Sequence, residues 1–239
     1  MNRVGYYYYS GTEILKDYSK ATEYFQKAAE LGCLSALINL GDWCPYLPES
    51  HNLINLGDCY YNGKGFEQSY SKSIEFYQKA AEFGNSAALN KIGNCYYNGK
   101  GFEQDYSKAI EYYQKAAELG NSDALVGLGN CYYFCKVFEK DYSKAIEFYQ
   151  KAAELGNSDA LNKLGNCYYF GNGVEQNYSK SIQFYQKAIE LGNSYAITNI
   201  GDCYYYGKGY QRNYTKAIEY YQRSAKLENP AAMNKLGNC

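Results

Sequence analysis

A ten-residue stretch of the form Leu-Gly-Asn-Cys-Tyr-Tyr-Asn-Gly-Lys-Gly returns along this chain at a fixed distance. Its cysteine occupies six positions that are each 36 residues apart, namely Cys59, Cys95, Cys131, Cys167, Cys203 and Cys239. The glycine two residues before each cysteine keeps the same spacing. A strict period without insertion or deletion predicts a stack of like units, because each unit has to present the same face to its neighbours.

The apolar spacing within one period predicts two helices. The segment from Asp105 to Gly120 places apolar residues three and four apart, which indicates one buried helix face. Asp105 suits the N-cap position, and Gly120 suits the left-handed conformation that follows a last helical turn. The segment 121–135 carries a second such face and is expected to be capped by Asn121 or Ser122. We call these helix A and helix B, and their short links predict an antiparallel pair.

Composition narrows the classes of function. The 239 residues are 46% hydrophobic, which is enough for a sizeable core, and the net charge of −1 provides no basic excess for a nucleic acid. No apolar run reaches the roughly 18–20 residues of a membrane helix. The first residues lack the apolar core of a signal peptide, so a cytoplasmic location is expected.

The repeated residues resemble a known family. Lys-Ala-Ala-Glu-Leu-Gly-Asn in helix A, Ala-Leu-Asn-Lys-Leu-Gly-Asn-Cys-Tyr-Tyr in helix B and the Gly-x-Gly before the next helix A look like Sel-one-like repeats (SLR). These belong to the tetratricopeptide (TPR)-like superfamily. The resemblance covers nearly the whole chain. It implies an all-α fold, a right-handed α-α solenoid of 36-residue antiparallel helix pairs, as a single domain over residues 1–239. It also implies adaptors and scaffolds that are generally not enzymes, with helix A lining the concave side.

One segment breaks the period. The Leu-Gly-Asp sequence at 40–42 returns at 56–58, which leaves no room for a helix A between the two copies. Pro45 and Pro48 separate the two B-like segments. We therefore expect a truncated, irregular repeat at about 33–57, with a kink or loosened packing. A tolerated deletion and a functional hinge are both open interpretations.

Two further departures concern a turn and the chain ends. Cys135 and Val137 replace the two glycines of the usual turn, so the turn at 134–138 is expected to be built differently. Met1 aligns with Leu89, and the chain ends inside a helix B, so both ends are expected to lie mid-repeat. Capping repeats are missing on this interpretation, and the chain is expected to be a piece of a longer array.

The cysteines and the single histidine do not form a chemical site. Equivalent helices in a stack lie roughly 8–10 Å apart, too far for a disulfide, so each repeated cysteine is predicted to be a small buried filler. Some secreted members of the resembled family carry two bridging cysteines per repeat, whereas this chain has one, which fits a reducing compartment. Cys131 and Cys135 lack partners for a metal, and His51 alone supports no triad. We predict no catalytic, cofactor-binding or metal-binding residue.

The Gly-x-Gly turns and the two glycosylation-like sequences also have structural interpretations. No strand precedes Gly-x-Gly, so helix termination is favoured over a phosphate loop. Asn177 and Asn213 begin Asn-x-Ser/Thr sequences but occupy the N-cap position of helix A, and they are expected to be caps. Each helix A also carries two adjacent aromatic residues, such as Tyr112 and Tyr113. One of the two is expected to face helix B and the other the neighbouring repeat, although tyrosines also suit a ligand groove.

The remaining face of helix A carries charged residues at equivalent positions. We call them the A row: Lys72, Glu75, Lys79, Lys108, Glu111, Lys115, Lys144, Glu147, Lys151, Lys216, Glu219 and Arg223. Each glutamate precedes a lysine or arginine by four residues, which stabilises a solvated helix. The A row is predicted to be either such a solvated face or the partner-binding surface on the concave side.

The predicted function is a protein-interaction scaffold or adaptor that binds partner proteins or peptides on a helix-lined concave surface. No nucleic acid, membrane or small-molecule substrate is expected. An alternative is the regulatory repeat region of a larger multidomain protein, such as a signalling enzyme. A hydrolase is the rival from another class, and the single histidine argues against it.

Overall fold

The computed structural model describes residues 49–63, 67–134 and 140–237, together with residues 3, 4, 7, 8, 20, 23, 24 and 27. All regular structure in this part of the chain is α-helical, which confirms the predicted all-α class. The chain divides into two compact units, Met1–Asn121 and Ser122–Cys239. A single solenoid over residues 1–239 stays a prediction.

Helices A and B alternate within each unit. The first unit contains the B helices α1 (Glu49–Asn62) and α3 (Ser86–Asn98) and the A helices α2 (Tyr70–Glu82) and α4 (Tyr106–Glu118). The second unit contains the B helices α5 (Ser122–Phe134), α7 (Ser158–Phe170), α9 (Ser194–Tyr206) and α11 (Pro230–Gly237). Its A helices are α6 (Tyr142–Glu154), α8 (Tyr178–Glu190) and α10 (Tyr214–Ala225).

Side-chain caps and glycines fix the helix ends where the sequence predicts them. The Asp105 carboxylate accepts from the backbone N–H of Lys108 at 2.9 Å and caps α4. Asn177 and Asn213 accept equivalent bonds at 2.9 Å, which confirms that they are caps. Gly120 follows α4 at a φ of 81°, a left-handed conformation that costs glycine little.

The B helices α3, α7 and α9 each pack more extensively against the A helix that follows than against the A helix before. A tyrosine of the A helix explains this. The ring of Tyr113 lies on Gly93, where an added Cβ would stand 2.7 Å from ring carbons, and its hydroxyl donates to Asn94 Oδ1 at 2.7 Å. The Gly-Asn/Asp pair of the repeated stretch is thus the packing site of the tyrosine that lies 20 residues after the glycine.

The same packing site recurs in both units. The buried tyrosines are Tyr77, Tyr113, Tyr149, Tyr185 and Tyr221, and their hydroxyls donate to Asp58, Asn94, Asn130, Asn166 and Asp202. Burying an apolar side chain of about this size contributes roughly 1.5–3 kcal/mol. The repeated glycine is required because any side chain there would collide with the ring.

Equivalent residues form the core of each unit. In the first unit Ile74, Tyr77, Ala88, Ile92 and Cys95 pack together. The second unit uses the equivalent residues Ile182, Tyr185, Ala196, Ile200 and Cys203. Four of the five described cysteines, Cys95, Cys131, Cys167 and Cys203, are at most 1% exposed, and none of the five forms a disulfide. The prediction that the repeated cysteines are small buried fillers is therefore confirmed at these four positions.

Buried asparagines tie successive B helices together in the second unit. Asn193 Oδ1 caps α9 by accepting from Ala196 N–H at 2.9 Å, while its Nδ2 donates to Asp159 Oδ1 of α7 at 2.6 Å. Asn157 makes the equivalent bond to Asp123 at 2.7 Å. One asparagine side chain thus caps a B helix and also holds that helix to the B helix before it.

Two of the sequence predictions lie outside the described residues. These are the kink expected within 33–48, which includes Pro45 and Pro48, and the altered turn containing Cys135 and Val137. Helix α5 ends its described part at Phe134, at the position where α7 ends at Phe170.

Candidate functional site

The A row lies on the surface, where all twelve residues are exposed. Lys79 Nζ lies 3.0 Å from Glu75 Oε1, one of the ion pairs predicted along the helix. The lysines also cover aromatic rings. In the first unit Lys108 Nζ lies 5.3 Å from the ring centroid of Tyr96, and Lys115 Nζ lies 5.5 Å from that of Tyr112. Exposed cation–π contacts of this kind contribute about 0.5–1 kcal/mol each.

The rings under these lysines form stacked pairs between a B helix and the following A helix. Tyr96 and Tyr112 stack with ring centroids 5.6 Å apart, and Tyr168 and Phe184 stack at 5.5 Å in the second unit. The half-buried aromatic residue of each helix A therefore contacts the same preceding helix B as its buried neighbour. One of the two adjacent aromatic residues was expected to face the neighbouring repeat. Tyr112 packs against the core cluster of the preceding repeat, but it also stacks on helix B, so the expectation holds only in part.

A second surface lies on the B helices. Asp58 of α1 forms a salt bridge with Lys91 of α3, with Nζ 2.8 Å from Oδ1. These residues border a pocket of about 310 Å³ whose polar rim also includes Asn62, Asn94 and Asn98. In the second unit Asp202 and Lys235 make the equivalent salt bridge at 2.9 Å. Each lysine lies 33 residues after its aspartate, so the bridge joins neighbouring repeats.

At the position of the rim residues Asn62 and Asn98, the second unit has exposed aromatic rings. Phe134, Phe170 and Tyr206 are 46%, 61% and 53% exposed and occupy the last residue of α5, α7 and α9. We call these three residues the aromatic row. Each ring packs edge-on against the tyrosine before it, with centroid distances of 4.6–4.9 Å. Rings held in this way present apolar area with little freedom left to lose on binding.

Sequence reasoning missed both the salt-bridged B-helix positions and the aromatic row. The salt bridges could have been predicted from the sequence. An aspartate is followed by a lysine 33 residues later at 58 and 91 and again at 202 and 235. The aromatic row also follows the 36-residue period, but the sequence alone does not show that its rings are exposed.

Burial raises the pKa of several thiols and tyrosine hydroxyls of the repeats. Burial raises the pKa of the Cys95 and Cys167 thiols to about 11 and that of Cys203 to about 12. The pKa of the Tyr185 hydroxyl is also raised, first by burial. These groups stay protonated at neutral pH, as expected of packing residues. His51 lies exposed on α1, and no group of three or more His, Cys, Asp or Glu among the described residues could hold a metal ion.

The Sel1 repeat model matches residues 1–33, 53–85, 86–121, 122–157, 158–193 and 194–229. The chain belongs to the Sel1 repeat family. Four of these matches, which together span 86–229, start at the first residue of a B helix and end after the next A helix. These two helices form the pair that packs most extensively. The Sel1 repeat thus begins with the helix that we call B and ends with the helix that we call A. Residues 34–52 are left without a match.

Solved structures support the same family. A Sel1 repeat protein of Oxalobacter formigenes is 28% identical, with a TM-score of 0.75 over 91% of this chain and 89% of that chain. A protective antigen of uropathogenic Escherichia coli with an SLR fold is 32% identical, with a TM-score of 0.62 over 99% of this chain. This chain covers 47% of that protein. An immunity protein of Pseudomonas aeruginosa is 26% identical, with a TM-score of 0.61 over 79% of this chain and 69% of that chain.

No sequence among curated proteins matches the chain. Sel1 repeat proteins are generally protein-interaction scaffolds and are typically non-enzymatic. None of the described helices is both long and apolar enough to cross a membrane.

Proposed function

We propose that this Sel1 repeat chain is an adaptor that binds partner proteins or peptides on the exposed faces of its B helices. The observation that carries the proposal is the aromatic row, whose three rings are 46–61% exposed at equivalent positions of successive repeats. Exposed apolar rings beside polar groups are typical of protein-binding surfaces. The solved relatives are described as an antigen and as an immunity protein, so their descriptions do not single out one partner.

The A row is a second proposed surface. Its glutamates and lysines are exposed, and the lysines rest on stacked rings, so their positions are restricted before binding. A partner of mixed charge would fit this row. Because the two surfaces lie on different helices, variants distinguish them.

The experiment compares three forms of the protein in affinity purification with quantitative mass spectrometry. The first is wild type, the second carries Phe134→Ser, Phe170→Ser and Tyr206→Ser, and the third carries Glu111→Lys and Glu147→Lys. We expect specific partners of the wild type to be lost from the aromatic-row variant while circular dichroism shows unchanged helicity. Loss from the charge-reversed variant alone would move the site to the A row.

Two outcomes count against the scaffold function. One is that no protein is enriched over an unrelated bait. The other is enzymatic turnover in a broad activity screen that disappears in the aromatic-row variant.

We also propose that the protein works in a reducing compartment, as in the cytoplasm. None of the five described cysteines forms a disulfide, as expected where disulfides do not persist. Microscopy of a fluorescent fusion of the full gene product checks this proposal, and a secreted product would contradict it.

A further inference from the structure

Polar residues on neighbouring B helices are matched in chemical type. The first residue of each pair follows the repeated glycine, and the second lies 33 residues later on the next B helix. Asp58 faces Lys91 at 2.8 Å, and Asp202 faces Lys235 at 2.9 Å. Where the first residue is Asn166, the second is Asn199, whose Nδ2 donates to Asn166 Oδ1 at 3.2 Å. An acid is thus paired with a lysine, and an amide with an amide.

Asn130 and Lys163 are the exception within the second unit. Asn130 Oδ1 accepts from the Tyr149 hydroxyl at 2.9 Å and offers no charge to the lysine. Lys163 is only partly exposed and makes no salt bridge to any described residue. Its Nζ lies 5.4 Å from the ring centroid of Phe134. Burial lowers the pKa of Lys163, although the charge of Asp159 opposes this shift.

An exposed aromatic ring lies beside Lys163. Phe134, under its ammonium group, and Phe170, at the end of its own helix, both belong to the aromatic row. At the equivalent position of the first unit, Lys91 has Asp58 as its carboxylate and Asn62 in place of Phe134. A cation with reduced hydration and a neighbouring exposed ring fits a carboxylate that is carried next to an apolar side chain.

We propose that Lys163 binds an aspartate or glutamate side chain of a partner protein, with an adjacent apolar residue of the same segment resting on Phe134 and Phe170. The partner carboxylate takes the place that Asp58 occupies beside Lys91. The inference rests on the proposed scaffold function and adds the chemistry of the bound segment.

A substitution at Asn130 tests this directly. Asn130→Asp would supply Lys163 with an internal carboxylate, as Asp58 supplies Lys91, and would still accept from the Tyr149 hydroxyl, as Asp58 accepts from Tyr77. Lys163→Met removes the charge but keeps an apolar stem for the ring of Phe134. Lys91→Met is the matched control, since it removes a lysine that already has a partner.

The probe is a phage-displayed library of random dodecapeptides selected on the wild-type protein. Enriched peptides are then synthesised with an amidated C-terminus, so that side chains are the only carboxylates, and their Kd is measured by fluorescence anisotropy. We expect the peptides to share an acidic residue beside an aromatic or aliphatic one. Their affinity should fall about tenfold or more with Lys163→Met and with Asn130→Asp and stay unchanged with Lys91→Met.

Other results overturn the inference. Enriched peptides without an acidic preference, or equal affinity for wild type and Asn130→Asp, would refute the role of Lys163 but leave peptide binding intact. A selection that enriches nothing would refute it as well, and the affinity purification of whole partners would then decide the scaffold function separately.

Discussion

At the scale of single residues, the repeats act as controls for one another. Ser73 and Ser181 occupy the position where Ala109, Ala145 and Ala217 stand in the other A helices, and all five are fully buried. Neither serine Oγ makes a hydrogen bond of normal geometry within the described structure, and each has only a weaker contact with the hydroxyl of the tyrosine four residues later, Tyr77 or Tyr185. A buried polar atom without a well-placed partner destabilises a fold, because its bond to water is lost and nothing of equal strength replaces it.

Replacing Ser181 with alanine is therefore expected to stabilise the protein by about 1 kcal/mol, through removal of the weakly bonded hydroxyl and a better helix propensity. Urea unfolding followed by circular dichroism measures the change. The reverse substitution, Ala145→Ser, is the matched control and is expected to destabilise by a similar amount. A destabilised Ser181→Ala variant would show that the hydroxyl makes a full hydrogen bond in solution.

At the scale of helices, the link between repeats depends on a side chain that performs two tasks. Asn193 caps α9 with its oxygen and reaches Asp159 of α7 with its nitrogen. A serine or aspartate would serve equally well as a cap, but neither would donate across to the preceding helix. The identity of this residue is thus explained by contact between helices.

The two tasks are separated by Asn193→Asp, which keeps the capping oxygen but places a carboxylate next to Asp159. We expect a loss of about 1–2 kcal/mol in the free energy of unfolding. Adding Asp159→Asn restores a donor to the pair with the roles exchanged, and most of the loss should be recovered. A double-mutant cycle by urea unfolding measures the coupling, and additive effects would refute the bond.

At the scale of the whole molecule, the described repeats all hold their B helix to the following A helix through the same contact. Tyr113 lies on Gly93 in the first unit, and Tyr221 lies on Gly201 in the second. A stack of this kind distributes its stability over local interfaces, so damage at one interface should stay near it. The buried cysteines next to these glycines report on local opening, because their raised thiol pKa values of about 11 and about 12 keep them unreactive while folded.

Gly93→Ala places a methyl group about as close to a ring as Gly201→Ala does, at 2.7 Å and 2.5 Å. Overpacking of this kind costs about 1–3 kcal/mol, which corresponds to a roughly five- to hundredfold larger open fraction of the site. We expect Gly93→Ala to accelerate the alkylation of Cys95 at pH 8 much more than that of Cys203, and Gly201→Ala to do the opposite. Mass spectrometry of labelled peptides measures both rates. Equal acceleration at both cysteines would indicate one cooperative unit.

The repeat, the helices and their ends follow from the amino-acid sequence alone. The 36-residue period, the apolar spacing of three and four, the caps at Asp105 and Asn177 and the glycine at 120 all act within a few residues of where they stand. The resemblance to the Sel1 family rests on the same local pattern. Such features are readable because helix periodicity and capping are local properties of the chain.

Which distant side chains come into contact follows from the tertiary packing. The Tyr113 ring on Gly93, the bond from Asn193 to Asp159 and the salt bridge from Lys91 to Asp58 join residues 20, 34 and 33 positions apart. These contacts depend on the direction of each side chain and on the register of one helix against the next. The same dependence placed Lys163 over the ring of Phe134 and left that ring exposed, which no local pattern in the sequence encodes.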